Sequence, residues 1–164
     1  MTNPYPPIRR VVTGHDAQGL AVVQSDDHFA SQPIALGGSE FALLWTTATV
    51  PADNNDPTDG REREAGLTIH QGSVIRVVDF MPGGDSPFHR TNSIDFGIVM
   101  AGEIELELDD GSKTIVGPNS VIIQRGTNHK WRNPSVDTYT RVVFVLIESP
   151  PYLHNGEPLD QMQP

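Results

Sequence analysis

Gly83-Gly84-Asp85-Ser86-Pro87-Phe88-His89-Arg90-Thr91-Asn92-Ser93-Ile94-Asp95 is the stretch around which the 164-residue chain is organised. It sets a glycine turn, a histidine, a threonine two positions on and an aspartate four further along, and Gly102 follows at the next turn. The spacing is G-x5-H-x-T-x3-D-x6-G. Downstream, Gly126-Thr127-Asn128-His129-Lys130-Trp131-Arg132-Asn133 gives G-x2-H-x3-N. Short strand-like runs separated by glycine turns surround both stretches, the pattern of an antiparallel sandwich or barrel.

The first spacing resembles the first motif of the cupin family, G-x5-H-x-H-x3-E-x6-G, and the second matches the end of that family's second motif. The resemblance covers roughly residues 66 to 148. It also extends to small single-domain cupins carrying H-R-T-x-x-x-D and Q-R-G-T-N-H-x-W-R-N, strings present here at His89–Asp95 and Gln124–Asn133. It implies an all-β fold, the double-stranded β-helix or jelly-roll barrel, with metal ligands brought together inside. His89 and His129 match ligand histidines and Asp95 stands in the glutamate position. Thr91 replaces the remaining histidine, and Gln124 sits where proline is usual. A divalent metal ion (Zn, Fe, Mn or Ni) at His89, Asp95 and His129 is the expectation that follows. Two imidazoles and a carboxylate also make up a facial triad, which leaves about three octahedral positions open. The rival reading is a hydrogen-bonded cluster of the same three side chains in a metal-free barrel. The desolvation of three polar groups without a partner weighs against it.

Around this centre the chain divides into an N-terminal arm with strands and a loop packing on the barrel (1–65), a core barrel (66–148) and an irregular tail (149–164), one domain in all. Residues 1 to 7 carry three prolines and read as extended or loose. Arg9 to Gln24 reads as two short strands about a turn, Ser25 to Ser39 as a loop and Phe41 to Thr47 as a strand. Pro51 to Glu64 has no apolar periodicity and reads as an exposed, mobile loop. Ser73 to Met81 alternates, with Val74, Arg76, Val78 and Phe80 on one face. Glu103 to Asp109 puts Ile104, Leu106 and Leu108 on one face, and Asp110-Gly111 marks a hairpin turn. Thr140 to Glu148 is nearly all apolar, as a strand covered on both sides would be. No helix longer than a turn or two is expected.

Bulk properties exclude several classes of function. With 11 Lys+Arg against 21 Asp+Glu the net charge is −10, which repels phosphate backbones and anionic membranes, so neither nucleic acid nor membrane is an expected partner. There is no cysteine, so thiolate metal sites and cysteine nucleophiles are absent. No run has the length of a signal peptide or a membrane span, and a cytoplasmic location is the default. An N-terminal arm with strand character has a sheet edge to offer, which suggests a homodimer in which it covers an edge.

Alternation nominates further site residues. Trp131 shares the face of His129 and would wall a substrate or pack the core. Thr91 shares the face of His89, and Gln124 would either reach substrate or hold a turn. Arg76, if turned inward, would pair with a substrate carboxylate or enolate, whereas an exposed edge arginine is the commoner state. Arg90 and Arg132 flank the histidines on the opposite face and read as surface residues. The function that the resemblance implies is a metal-dependent lyase or isomerase acting on a small oxygenated molecule of polyketide or aromatic type. An Fe(II) dioxygenase and a non-catalytic small-molecule binding module are the alternatives.

Overall fold

Alternation along Ser73–Phe80 becomes inside and outside of a barrel in the computed structural model, which describes residues 2–35 and 37–162. In chain order the strands are β1 (Ile8–His15), β2 (Ala21–Phe29), β3 (Gln32–Pro33), β4 (Ser39–Thr47), β5 (Ser73–Phe80), β6 (Ser93–Ala101) and β7 (Ile104–Leu108). They continue with β8 (Lys113–Val116), β9 (Val121–Arg125), β10 (His129–Arg132), β11 (Thr140–Glu148), β12 (Leu153–His154) and β13 (Glu157–Pro158). Among the described residues the helical content is a single 3-10 turn at Gly60–Glu62. A six-stranded sheet of order β3-β4-β5-β11-β6-β9 faces a three-stranded sheet of order β10-β7-β8, and β1–β2 and β12–β13 stand as separate hairpins. This is the all-β jelly-roll barrel that the motif spacing implies.

The core fills the space between the two sheets. Val74, Val78, Phe80, Val99, Ile104, Trp131, Val142, Phe144 and Leu146 form one buried cluster, drawn from the inward positions of β5, β6, β7, β10 and β11. Gly102 makes the corner between β6 and β7 at φ 71°, where a Cβ would lie 2.6 Å from the Tyr139 carbonyl oxygen; only glycine fits there. The segment 85–90, too irregular to be a strand, runs beside β10 and closes the barrel on that side through bridges from Asp85 to Arg132 and from His89 to His129.

The periphery departs from the sequence reading in four places. Residues 3 to 6 are tied down rather than loose: Asn3 Nδ2 donates to Asp79 and Glu40 at 2.8 and 2.7 Å, and the Tyr5 hydroxyl to the Tyr139 carbonyl at 2.7 Å. The supposed loop after Gln24 is mostly strand, because Asp26 and Asp27 pair across the hairpin with Arg9 and Arg10, and β3 and β4 then join the larger sheet. The polar segment 51–64 is pinned by Asp59, which takes both Nη1 and Nη2 of the buried Arg10 at 2.7 Å and caps the Gly60–Glu62 turn. The tail forms a hairpin about Asn155-Gly156, both at positive φ, and Met162 bridges back to Arg90. Ion pairs and caps of this kind leave no hydropathy signal, although Asn-Gly is itself a hairpin signature.

Candidate functional site

His89 and His129 face each other because their backbones do. Each donates its N–H to the other's carbonyl at 2.9 Å, and that pairing sets the two imidazoles side by side with ring centroids 4.2 Å apart. Each ring is locked by the residue two before it: His89 Nδ1 meets the Pro87 carbonyl at 3.0 Å and His129 Nδ1 the Thr127 carbonyl at 2.9 Å. A carbonyl only accepts, so each Nδ1 carries the proton and each Nε2 is left with its lone pair. Neither Nε2 has a protein hydrogen bond among the described residues. Burial lowers both pKa values, that of His129 to about 4 with the charge of His89 adding to the effect, so both rings are neutral at physiological pH.

On the larger sheet, β6 turns Ser93 and Asp95 inward, continuing the face of Thr91. Ser93 Oγ donates to Asp95 Oδ1 at 2.6 Å and is in hydrogen-bond contact with Thr91 Oγ1 at 2.8 Å. Asp95 Oδ2 has no protein partner among the described residues. Burial pushes the Asp95 carboxyl up to about 6, against the opposing effects of the Ser93 hydrogen bond and the Arg76 charge.

His89, His129, Thr91 and Asp95 line one pocket. Its walls are Phe41, Leu67, Val78, Phe80, Trp131, Phe144 and Leu146, with Asp85, Ser86 and Pro87 beside His89. The cavity is about 120 Å³ and opens to solvent. Trp131 meets His129 edge-on at 5.3 Å and Phe144 at 5.4 Å, so it is both wall and core.

Two expectations, those for Arg76 and Arg90, change. His89, Asp95 and His129 share the pocket, and among the described residues no group of three or more His, Cys, Asp or Glu side chains is placed to hold a metal ion. The histidines belong to the smaller-sheet side through their backbone bridge, whereas Asp95 lies on β6 in the larger sheet with its carboxylate on Ser93. Arg76 is not an exposed edge arginine: β5 lies between β4 and β11, and Arg76 is buried in the pocket. Gln124 is outside the lining; its amide donates to the Thr127 carbonyl at 3.1 Å and to the Thr127 hydroxyl, so it holds the turn that presents His129. Arg90 is covered by the tail, donating to the Asp160 carbonyl, while Arg132 is exposed as expected. Ser93 and Phe144 were not singled out by the motifs. Alternation on β6 would have placed Ser93 beside Asp95, but Phe144 needed the β5–β11 register.

The donor chemistry of the histidine pair fits a divalent cation. Both rings are neutral, and both are oriented by the carbonyl bonds that commonly support metal-ligating histidines.

Comparison with known proteins agrees with this fold. A family model described as Cupin domain matches residues 76–146. Phomopsin biosynthesis cluster protein C' of Diaporthe leptostromiformis is 41% identical over 155 residues, covering 90% of this chain and 82% of that protein. A cupin-domain-containing oxidoreductase of Neurospora crassa is 34% identical over 163 residues (96% and 83%), and one of Hypocrea virens is 38% identical over 168 residues (94% and 84%). The cupin domain of Schizosaccharomyces pombe Cnp3 superposes with a TM-score of 0.54 at 14% identity, over 86% of this chain and 88% of that one, a likeness of fold alone. Similarity at this level over nine-tenths of the chain makes it a member of the cupin-domain family.

Proposed function

We propose that the chain is an enzyme of secondary metabolism that holds a small oxygenated molecule in the barrel pocket and removes a proton from the carbon beside its carbonyl, as lyase or isomerase chemistry requires. One observation carries this reading: a buried carboxyl with a free Oδ2 on one wall shares the pocket with two imidazole acceptor nitrogens on the other. Relatives named for biosynthesis clusters support the metabolic setting.

Asp95 is the base. Its burial makes the carboxylate more basic than an exposed one, and Ser93 holds Oδ1 so that Oδ2 receives the proton. Trp131, Phe144 and Phe80 keep water from the enolate that results. Thr91 steadies Ser93. A divalent cation would be held by His89 and His129, and when bound there it supplies positive charge that offsets negative charge developing on a substrate oxygen. Its presence is measurable without a substrate. Titration with Co(II) is expected to give one ion per chain, to fail in His129→Ala and to persist in Thr91→Ala, with circular dichroism unchanged throughout. Undiminished Co(II) binding by His129→Ala would remove the histidine pair from the assignment.

The names of the oxidoreductase relatives favour a second reading, in which the bound molecule is oxidised. The two are separated by incubating the protein in D2O with a panel of β-keto esters and aryl ketones. Deuterium entering the α position, followed by NMR, with no oxygen uptake is the expected result. Oxygen consumption matched to substrate loss, without exchange above the buffer rate, would replace the first reading with the second. Binding of panel members with neither response would leave a binding module.

A further inference from the structure

We infer that the molecule bound in this pocket is a carboxylic acid with a flat apolar body, and that Arg76 receives its carboxylate; the inference rests on the reading of the pocket as a substrate site. Arg76 is 8% exposed and projects from an interior strand of the larger sheet into the cavity. Its Nη2 donates to two backbone carbonyls, those of Gly66 and Leu67. Its Nε is buried without any acceptor, and Nη1 has no protein acceptor among the described residues.

Arg10, whose Nε is likewise buried without an acceptor, and the half-buried Arg141 differ from Arg76 in having a carboxylate partner. Arg10 is held by both oxygens of Asp59, and Arg141 by both oxygens of Asp79. Each guanidinium fork is matched by a carboxylate, as its geometry favours. Arg76 has no carboxylate within ion-pair distance among the described residues. Asp95 acts on it only through space, and the face of Phe41 lies 5.5 Å from its central carbon. A buried guanidinium left with two carbonyls and an aromatic ring lacks the anion that would repay its desolvation. A ligand carboxylate supplies one.

The floor of the pocket gives the rest of the molecule its shape. Phe144 on β11 lies opposite Arg76 on β5 and opposite Gly97 on β6. A Cβ at Gly97 would come within 3.1 Å of the Phe144 ring, so the glycine leaves room for that ring. Arg76 therefore stands at one side of an aromatic floor and Asp95 at the other. An acid anchored on Arg76 lays its apolar body across Phe144 and against Trp131, with its reacting carbon toward Asp95 and the histidines.

Calorimetric binding of 2-naphthoate and 2-naphthamide to the full chain tests this, since the two probes share a body and differ in the anion. The wild-type protein is expected to bind the acid about tenfold or more tightly than the amide, as a charge-assisted pair in a desolvated site should. Arg76→Gln should abolish that preference while leaving amide affinity within about twofold, and Arg76→Lys, which keeps the charge without the fork, should retain part of it. Equal affinities in the wild type overturn the inference, and so does an acid preference that survives in Arg76→Gln. If the glutamine variant fails to fold because the Gly66–Leu67 strap is lost, the wild-type comparison and the lysine variant still decide. The assay reads binding alone, so it can succeed while proton exchange fails, or fail while exchange of neutral ketones succeeds.

Discussion

Asp95→Asn should leave the barrel folded and lower α-proton exchange by roughly 10²- to 10⁴-fold, the usual contribution of a positioned general base. The substitution preserves shape, and the amide oxygen can still accept the Ser93 hydroxyl, so Ser93 and Thr91 keep their places. It removes the proton-accepting Oδ2 and the negative charge that Arg76 feels through space. Stability should be unchanged or slightly improved, since an ionisable group that burial disfavours is replaced by a neutral one. Co(II) binding should survive, because in this reading the two oriented imidazoles hold the ion. Exchange that persists at the wild-type rate in a folded Asp95→Asn protein would deny Asp95 its role. Loss of Co(II) as well would show that the carboxylate moves onto the metal and that the three-ligand expectation from the motif was sound.

Asp79→Ala should be the most damaging single substitution for stability, costing about 3–5 kcal/mol by leaving a buried charge without its partner. That is a large share of the 5–15 kcal/mol typical of a domain, so the variant should be partly unfolded at 37 °C. Asp79 is wholly buried on the outer face of β5 and accepts from Arg141 at 2.6 and 2.7 Å, from Ser31 at 2.7 Å and from Asn3 at 2.8 Å. One carboxylate thus joins the N-terminal segment, the approach to β3 and β11. Burial raises its pKa, but the hydrogen bonds to Arg141, Ser31 and Asn3 outweigh that, and the net shift is downward. A carboxyl with a depressed folded pKa contributes its stability above the unfolded value near 4, and the contribution is lost as pH falls through the folded value. The wild type should therefore lose stability below about pH 4 more steeply than Asp79→Ala does. Urea denaturation at pH 7 and pH 3 measures both effects. A pH 7 difference under about 1 kcal/mol would show that the network is dispensable.

How much of this was legible in the sequence depends on the range of the interaction that decides each feature. The barrel, the inward faces of β5 and β7 and the shared face of His129 and Trp131 follow from period-two alternation and from motif spacing, both local properties. That Asp95 and the histidine pair reach the pocket from different sheets was not legible, because it depends on which sheet each segment joins. His89 precedes β6 by a few residues yet pairs with β10, about forty residues away. Arg76 illustrates the same limit. Alternation shows that it shares a face with Val78 and Phe80, but only the neighbours β4 and β11 reveal that the face is interior. Exposure is the common fate of arginine, and it misleads where a strand is central. Conversely, Asn155-Gly156 was a local hairpin signal and could have been read.

The reciprocal amide bonds between His89 and His129 make the site part of a seam in the barrel. Opening at this end breaks two hydrogen bonds and parts the imidazoles in the same movement. Whatever engages both rings therefore acts as a staple across the seam, and slower solvent exchange of the His89 and His129 amides would be its signature. A molecule held by both rings would therefore stabilise closure of the barrel at this end.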